Sequence, residues 1–248
     1  MHRSRLFMSE SKRKLEEISF YSDALQEDVT LLVYLPSNYS TLYKYSLLIA
    51  QDGKDYVMYG RTPRLIDDLM NESEIDRTIF VGIPYKSVED RRDKYHPEGN
   101  QVDAYIRFLA HELVPFLDKT YPTYQMGKSR VLIGDSLAAT VSLLTAIAYP
   151  HTFGKVIMHS PFVNDAVLQT VNSFASPSLL DLYHVIGTEE TAVKTTQDGI
   201  LNFIEPNRLL HEQMKQRGYS VFYEEFNGNH TWKYWQKDVK RSLQYMLK

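Results

Sequence analysis

The sequence predicts an α/β fold with a mostly parallel central sheet, antiparallel strands at its N-terminal edge and helices on both faces. From residue 45 onward, short apolar runs alternate with segments of helical periodicity, which is typical of a parallel sheet covered on both faces. Residues 14–21 and 28–35 instead alternate apolar and polar side chains, as half-buried antiparallel strands do. No linker or repeat divides the chain, so we expect residues 1–248 to form a single domain.

The individual elements follow from the same patterns. Buried strands are predicted where apolar residues run together, at residues 45–50, 77–83, 131–133, 155–159, 182–187 and 220–226. Helices are predicted where apolar residues recur every three or four positions, at residues 64–70, 102–119, 139–149, 165–174, 202–217 and 232–247. Pro115 predicts a kink or an early end in the second helix. The polar stretch 85–101 has neither pattern and is predicted to be a loop.

Composition excludes several classes of protein. A net charge of -3 gives no reason to expect nucleic acid or an anionic membrane as a partner. The absence of cysteine excludes disulfides, thiolate metal sites and a cysteine nucleophile. No apolar run approaches membrane-spanning length, and none follows the basic residues of the first ten positions, so no signal peptide is predicted. We therefore expect a cytoplasmic protein, and we expect no metal or cofactor because no metal-ligand spacing or phosphate loop is present.

The segment around Ser136 has the pattern of a nucleophile elbow, in which a serine lies at the apex of a sharp strand-to-helix turn. Gly134 occupies the crowded position two residues before the serine. Ala138 lies two residues after it, where glycine is usual. Taken alone, the segment also fits an ordinary strand-to-helix turn with a solvated serine.

Loops after the predicted strands carry the groups that would complete such a site. In a parallel sheet, ligands and catalytic groups collect at the carboxyl ends of the strands. The loops at this edge contain residues 52–54, Ser136, residues 188–190 and His230. The order serine, acid, histidine is the one that α/β-hydrolases use.

The chemistry of acyl transfer assigns a role to each group. Ser136 needs a base to take its proton, and His230 is the candidate. An acidic partner would fix the imidazole tautomer, and the backbone amides of Leu137 and of the residue after Gly53 would bind the oxyanion. Further candidates for the wall of the substrate pocket are Asp52, Gly53, Asp135 and Trp232. For Trp232 the alternative is packing in the core.

Several segments together resemble the "putative esterase" family of α/β-hydrolases, which includes esterase D, enterochelin and other siderophore esterases, feruloyl esterases and the mycolyltransferase antigens. They are the elbow 134–138, the helix 108–117, Tyr149-Pro150 with Phe153-Gly154, and the segment 228–235 with its His-x-Trp-x-x-Trp pattern. The resemblance runs from about Glu16 to the C-terminus. It implies an α/β-hydrolase fold, a Ser-His-acid triad and ester substrates.

The same resemblance implies two finer assignments. Lys54 would supply the second oxyanion amide. Glu190 would be the acid, with Glu189 and Asp198 as the alternatives.

Residues 134–137 (Gly-Asp-Ser-Leu) also spell the signature of a different lipase superfamily, and Asp181 and His184 have the spacing of its Asp-x-x-His motif. That superfamily places its serine near the N-terminus, whereas Ser136 lies in the middle of this chain. We therefore predict a serine esterase that forms an acyl-enzyme with a small ester or lactone, with specificity set by residues 85–101 and 164–180. A binding protein that lost the chemistry and an acyltransferase of the same fold are the alternatives.

Overall fold

The computed structural model describes residues 14–248, so the first ten residues, for which no signal peptide is predicted, lie outside the described residues. The strands are β1 Lys14–Ser22, β2 Glu27–Leu35, β3 Ser46–Gln51, β4 Thr78–Ile83, β5 Arg130–Asp135, β6 Lys155–His159, β7 Asp181–Gly187, β8 Val193–Lys194, β9 Ile200–Leu201 and β10 Ser220–Phe226. An eight-stranded sheet has the order β1-β2-β4-β3-β5-β6-β7-β10, and β8 and β9 form a separate hairpin.

The sheet has the predicted mixture of strand directions. β1 and β2 pair antiparallel, and β2 pairs antiparallel with β4. From β4 to β10 every neighbouring pair is parallel. All residues of β3, β4 and β5 are buried, as expected for strands covered on both faces. The α/β fold class with a mostly parallel sheet is therefore confirmed.

Helices cover both faces of the sheet. They are α1 Gly53–Met58, α2 Thr62–Asn71, α3 Val88–Tyr95, α4 Val102–Arg107, α5 Val114–Thr120, α6 Leu137–Ala148, α7 Asp165–Ser173, α8 Ile204–Arg217 and α9 Trp232–Met246. Successive strand residues point to opposite faces. Leu47 and Ile49 of β3 pack in a cluster with side chains of α3 to α8, and Leu48 and Ala50 pack with α1, α2 and α9. Among the helices of residues 14–248, none has the length and apolar character that a membrane crossing needs.

The helix predicted at residues 102–119 continues past Pro115. A π-helical segment, Phe108–Leu113, joins α4 to α5, and Pro115 lies in the first turn of α5. Pro115 follows the π-helical segment directly, where the ordinary i→i−4 hydrogen-bond pattern of the α-helix is already interrupted. The chain therefore stays helical to Thr120, and the early end does not occur.

The prediction of a loop at residues 85–101 is wrong, because α3 lies within it. Its buried residues are Lys94 and Tyr95, so it lacks the apolar stripe by which helices are recognised. A helix N-cap could have indicated α3, since the Ser87 side chain accepts a hydrogen bond from the Asp90 N–H at 3.2 Å. Neither α1 nor the β8–β9 hairpin was predicted, and each is short.

Candidate active site

Ser136 lies between β5 and α6 in a strained backbone conformation. Its φ of 54° and ψ of -126° are unusual for a residue other than glycine. Hydrogen bonds hold this conformation, since the Ser136 N–H donates to the His159 carbonyl at 2.9 Å and the Ser136 carbonyl accepts from the Thr140 N–H at 3.2 Å. Strain that the surroundings hold in place is frequent at functional sites.

Close packing of the turn explains why glycine precedes the serine. A Cβ atom on Gly134 would lie 2.3 Å from the carbonyl carbon of Ala138, so β5 and α6 can approach this closely only with glycine at that position. Ala138 itself is completely buried. Its methyl group fits in the core, which explains how the chain tolerates alanine where glycine is usual.

The structure brings Glu190 and His230 together. Nδ1 of His230 lies 2.6 Å from Oε2 of Glu190, and the Glu190 side chain is fully buried. Glu190 follows β7, and His230 follows β10, which pairs with β7. Parallel pairing places the carboxyl ends of the two strands side by side, so the acid and the imidazole meet at one edge of the sheet.

Ser160, directly after β6, holds the other oxygen of the Glu190 carboxylate. Oε1 of Glu190 accepts hydrogen bonds from the Ser160 hydroxyl at 2.6 Å and from the Gly187 N–H at 2.9 Å. The Ser160 oxygen in turn accepts from Nε1 of Trp235 at 2.9 Å. The edge of the Trp235 ring meets the His230 ring, with centroids 4.8 Å apart. The sequence leaves Ser160 open as a turn residue or a pocket wall, and no local pattern predicts its hydrogen bonds to Glu190 and Trp235.

Ser136 and His230 line one cleft of about 250 Å³. Its lining also includes Asp135 and Leu137 beside the serine, Val88, Arg91 and Arg92 of α3, residues 193–198, and the aromatic side chains Phe162, Phe203 and Trp235. Within residues 14–248 the Ser136 hydroxyl makes no hydrogen bond. Because Glu190 occupies Nδ1 of His230, Nε2 is the nitrogen left for a reacting group, and such bonds often form only when substrate is present.

The predicted oxyanion residues each lie in the first turn of a helix. Lys54 is the second residue of α1, and Leu137 is the first residue of α6. Amides in the first turn of a helix have no partner within that helix. Gly53 permits the approach of α1 to β4, because a Cβ on Gly53 would lie 2.2 Å from the backbone nitrogen of Ile83.

Asp52 and Asp135 are buried carboxylates with different surroundings. Asp52 pairs with Arg91, whose Nε and Nη2 lie 2.9 Å and 2.6 Å from Oδ2. Among the described residues, Oδ1 of Asp135 has no hydrogen-bond partner. Burial raises the pKa of Asp135 well above its usual value, and the charge of Asp52 adds to the shift. Asp135 lines the cleft, and so does Arg91, whose guanidinium group is held by Asp52.

The other candidate residues lie in different surroundings. Trp232 packs edge-on against Tyr56 with ring centroids 4.8 Å apart, and the tryptophan that lines the cleft is Trp235. Glu189 is exposed, and Asp198 pairs with both terminal nitrogens of Arg92. Of the Asp-x-x-His spacing, Asp181 binds Lys128 at 2.7 Å, and His184 is buried against Asn207 at 2.7 Å. Over residues 14–248, no three His, Asp or Glu side chains group as metal ligands would.

Proteins of similar sequence include an uncharacterized protein and an esterase. An uncharacterized protein of Bacillus subtilis (strain 168), YjcH, is 51% identical over 240 residues, covering 97% of this chain and 100% of the relative. The acetyl esterase of Caldicellulosiruptor saccharolyticus is 20% identical over 259 residues, covering 94% of this chain and 97% of that enzyme.

Solved structures share the fold at low identity. The enterobactin esterase of Shigella flexneri superposes with a TM-score of 0.82 at 16% identity, covering 95% of this chain and 59% of that one. A ferulic acid esterase superposes with a TM-score of 0.78 at 15% identity, covering 94% of this chain and 98% of that one. The fold is thus that of the α/β-hydrolases. The family described as "Putative esterase" matches residues 22–246, and the chain belongs to that family.

Proposed function

We propose that this protein is a serine carboxylic-ester hydrolase that acts on a small ester through an acyl-enzyme intermediate. The observation that carries the proposal is the 2.6 Å contact between His230 Nδ1 and the buried Glu190 carboxylate, in the cleft that Ser136 also lines. Membership of an esterase family supports ester hydrolysis as the reaction. The same contact favours Glu190 over Glu189 and Asp198 as the acid.

In this proposal each group has one task. Glu190 holds the Nδ1–H of His230, so that Nε2 is unprotonated and can take the Ser136 proton. The Ser136 oxygen then attacks the ester carbonyl, and His230 returns the proton to the departing alcohol. Water, activated in the same way, hydrolyses the acyl-enzyme.

The negative oxygen that forms during both steps needs hydrogen-bond donors. The amides of Lys54 and Leu137 are the candidates, since both lie in the first turn of a helix that begins at the carboxyl end of a strand. Backbone donors of this kind contribute about 10²- to 10³-fold to the rate when they are aimed at the developing charge.

The cleft supports a small substrate. Its volume of about 250 Å³ lies below the range of about 300–1,000 Å³ that is usual for drug-sized ligands. Phe162 and Phe203 add apolar surface to its lining, and Arg91 and Arg92 add guanidinium groups. One relative is an acetyl esterase, and short acyl esters are therefore the first substrates to test.

We predict that Ser136→Ala abolishes hydrolysis of p-nitrophenyl acetate, because the variant lacks the attacking oxygen. Ser142→Ala is the matched control: Ser142 lies in α6, is buried, and donates to the Ala138 carbonyl at 2.8 Å. It removes a hydroxyl from the same helix and should leave kcat unchanged. Circular dichroism verifies that both variants fold. Retained turnover in folded Ser136→Ala would refute the serine mechanism.

A further inference from the structure

His159, the last residue of β6, is a buried imidazole that takes no part in the proposed chemistry. Its side chain has no solvent exposure. Both ring nitrogens have partners: Nδ1 lies 3.0 Å from the Tyr56 hydroxyl, and Nε2 lies 3.2 Å from Oδ2 of Asp238. Burying the three polar side chains Tyr56, His159 and Asp238 costs free energy unless each makes its hydrogen bonds. Their location therefore indicates which elements these hydrogen bonds hold together.

The chemistry of the partners sets the direction of these hydrogen bonds. The Asp238 carboxylate also accepts from the Tyr183 hydroxyl at 2.9 Å and from Nε of Arg241 at 2.8 Å. Burial acts to raise the pKa of Asp238, but hydrogen bonding and attraction to His159 and Arg241 outweigh it and lower the pKa. A carboxylate can only accept, so Nε2 of His159 carries a proton and donates it to Asp238. Nδ1 makes the second hydrogen bond of the ring, with the Tyr56 hydroxyl.

The hydrogen-bonded series Asp238–His159–Tyr56 ends on α1, the helix that carries Lys54. Tyr56 lies two residues after Lys54 and is fully buried, with its ring against the edge of Trp232. The Tyr56 hydroxyl of α1 is thus linked, through the His159 ring of β6, to Asp238 of α9. The hydrogen bond to His159 therefore anchors α1 at Tyr56.

The backbone next to the same ring touches the other parts of the site. The His159 carbonyl accepts the Ser136 N–H at 2.9 Å. The following residue, Ser160, donates its hydroxyl to Glu190 at 2.6 Å. The end of β6 thus contacts the serine turn, the proposed acid and, through the imidazole, the proposed oxyanion helix.

We propose that His159, with Tyr56 and Asp238, is a positioning residue that aligns the Lys54 amide with the Leu137 amide around the oxyanion. This inference rests on the proposed function. Misplacement of a reacting group by about 1 Å costs roughly 100-fold in rate, and loss of one oxyanion donor costs about 10²- to 10³-fold. Releasing α1 from its anchor should therefore act on the transition state and leave substrate binding nearly unchanged.

The test is Tyr56→Phe, which removes one hydroxyl and keeps the ring against Trp232. We expect kcat for p-nitrophenyl acetate to fall roughly 10- to 100-fold, with KM changed less than about twofold. The inhibition constant of a trifluoromethyl ketone, whose tetrahedral adduct mimics the oxyanion, should rise in parallel with the loss of kcat/KM. A merely structural role would not couple these two quantities.

Tyr219→Phe is the matched control. The Tyr219 hydroxyl is buried and donates to the Val171 carbonyl at 2.9 Å, and Tyr219 is not among the residues that line the cleft. The control should unfold at a lower urea concentration while its kcat and inhibition constant stay at the wild-type values. A second variant, His159→Gln, separates Tyr56 from Asp238 at the centre of the chain and should reproduce the effect of Tyr56→Phe.

The outcomes separate this inference from the proposed function. Wild-type kcat and inhibition constant in folded Tyr56→Phe or in folded His159→Gln, with Ser136-dependent hydrolysis intact, would overturn the positioning role alone. Absence of Ser136-dependent hydrolysis in the wild type would overturn the proposed function and the positioning role together.

Discussion

The carboxylate of Glu190 accepts three hydrogen bonds although its side chain has no solvent exposure. Ser160 and Gly187 donate to Oε1, and His230 donates to Oε2. These donors offset the desolvation that burial imposes on a carboxylate, and they leave it a single orientation. Glu190 therefore holds the His230 imidazole and is itself held by Ser160 and Gly187. The proposed role of His230 as a base requires such a fixed orientation.

We predict that Glu190→Gln lowers kcat for p-nitrophenyl acetate by a factor on the order of 10³ to 10⁴. The amide keeps the shape of the side chain but can present an N–H to Nδ1 of His230, which favours the tautomer that cannot accept the Ser136 proton. Steady-state kinetics with a folded variant measures the effect.

Glu189→Gln makes the same chemical change one residue earlier, on an exposed side chain. Its kcat should equal that of the wild type. A large loss in Glu189→Gln, or none in Glu190→Gln, would show that Glu190 is not the acid.

Helix α3 and the segment of the β8–β9 hairpin both line the cleft. Arg91 and Arg92 belong to α3, and residues 193–198 belong to the hairpin segment. An ion pair between Arg92 and Asp198 joins the two segments, with both side chains about one-third exposed. Exposed pairs of this kind contribute at most about 1 kcal/mol, so the pair shapes the cleft mouth more than it stabilises the fold.

The packing of β7 against α8 buries a histidine that stays neutral. Nε2 of His184 lies 2.7 Å from Oδ1 of Asn207, while Nδ1 has no partner among the described residues. The Asn207 amide donates to the Pro161 and Phe203 carbonyls, which leaves its oxygen for the imidazole. Burial lowers the pKa of His184 from 6.5 to about 4.

This shift predicts a loss of stability in acid. Below its usual pKa of 6.5 the unfolded chain binds a proton at His184 that the folded protein does not bind until about pH 4. The contribution is therefore fully present above pH 6.5 and is lost as the pH falls towards 4, by roughly 3 kcal/mol in all. We expect His184→Gln to lose less unfolding free energy than the wild type between pH 6.5 and pH 4 in urea titrations.

His151→Gln serves as the control, since His151 is exposed. It should follow the pH dependence of the wild type. Identical slopes for wild type, His184→Gln and His151→Gln would contradict a neutral buried His184.

For the whole molecule, the sequence predicted the sheet and the edge at which polar groups meet. Apolar runs marked the central strands, and their ends in the structure differ from the predicted ones by at most two residues. Because parallel strands share one carboxyl edge, Ser136, His230 and an acid within residues 188–190 could be expected there from chain order. The choice of Glu190 came only from the family resemblance, with Glu189 and Asp198 as alternatives. That residues 1–248 form one domain stays a prediction.

Other parts of the site could not be predicted, because they depend on contacts between distant residues. Ser160 reaches Glu190 across 30 positions and Trp235 across 75, and no local pattern encodes either pairing. His159 looked like the end of a strand, and only the meeting of α1, β6 and α9 gives its ring two partners. Helix α3 was not predicted because it lacks an apolar stripe.

The proposed function requires Ser136 to be a nucleophile activated in this cleft. Labelling of the folded wild type with a fluorophosphonate, followed by mass spectrometry of the peptides, tests this most directly. We expect one adduct, on the peptide that contains Ser136, and none in Ser136→Ala. Folded wild-type protein that remains unlabelled at Ser136, or that is labelled equally in Ser136→Ala, would contradict it.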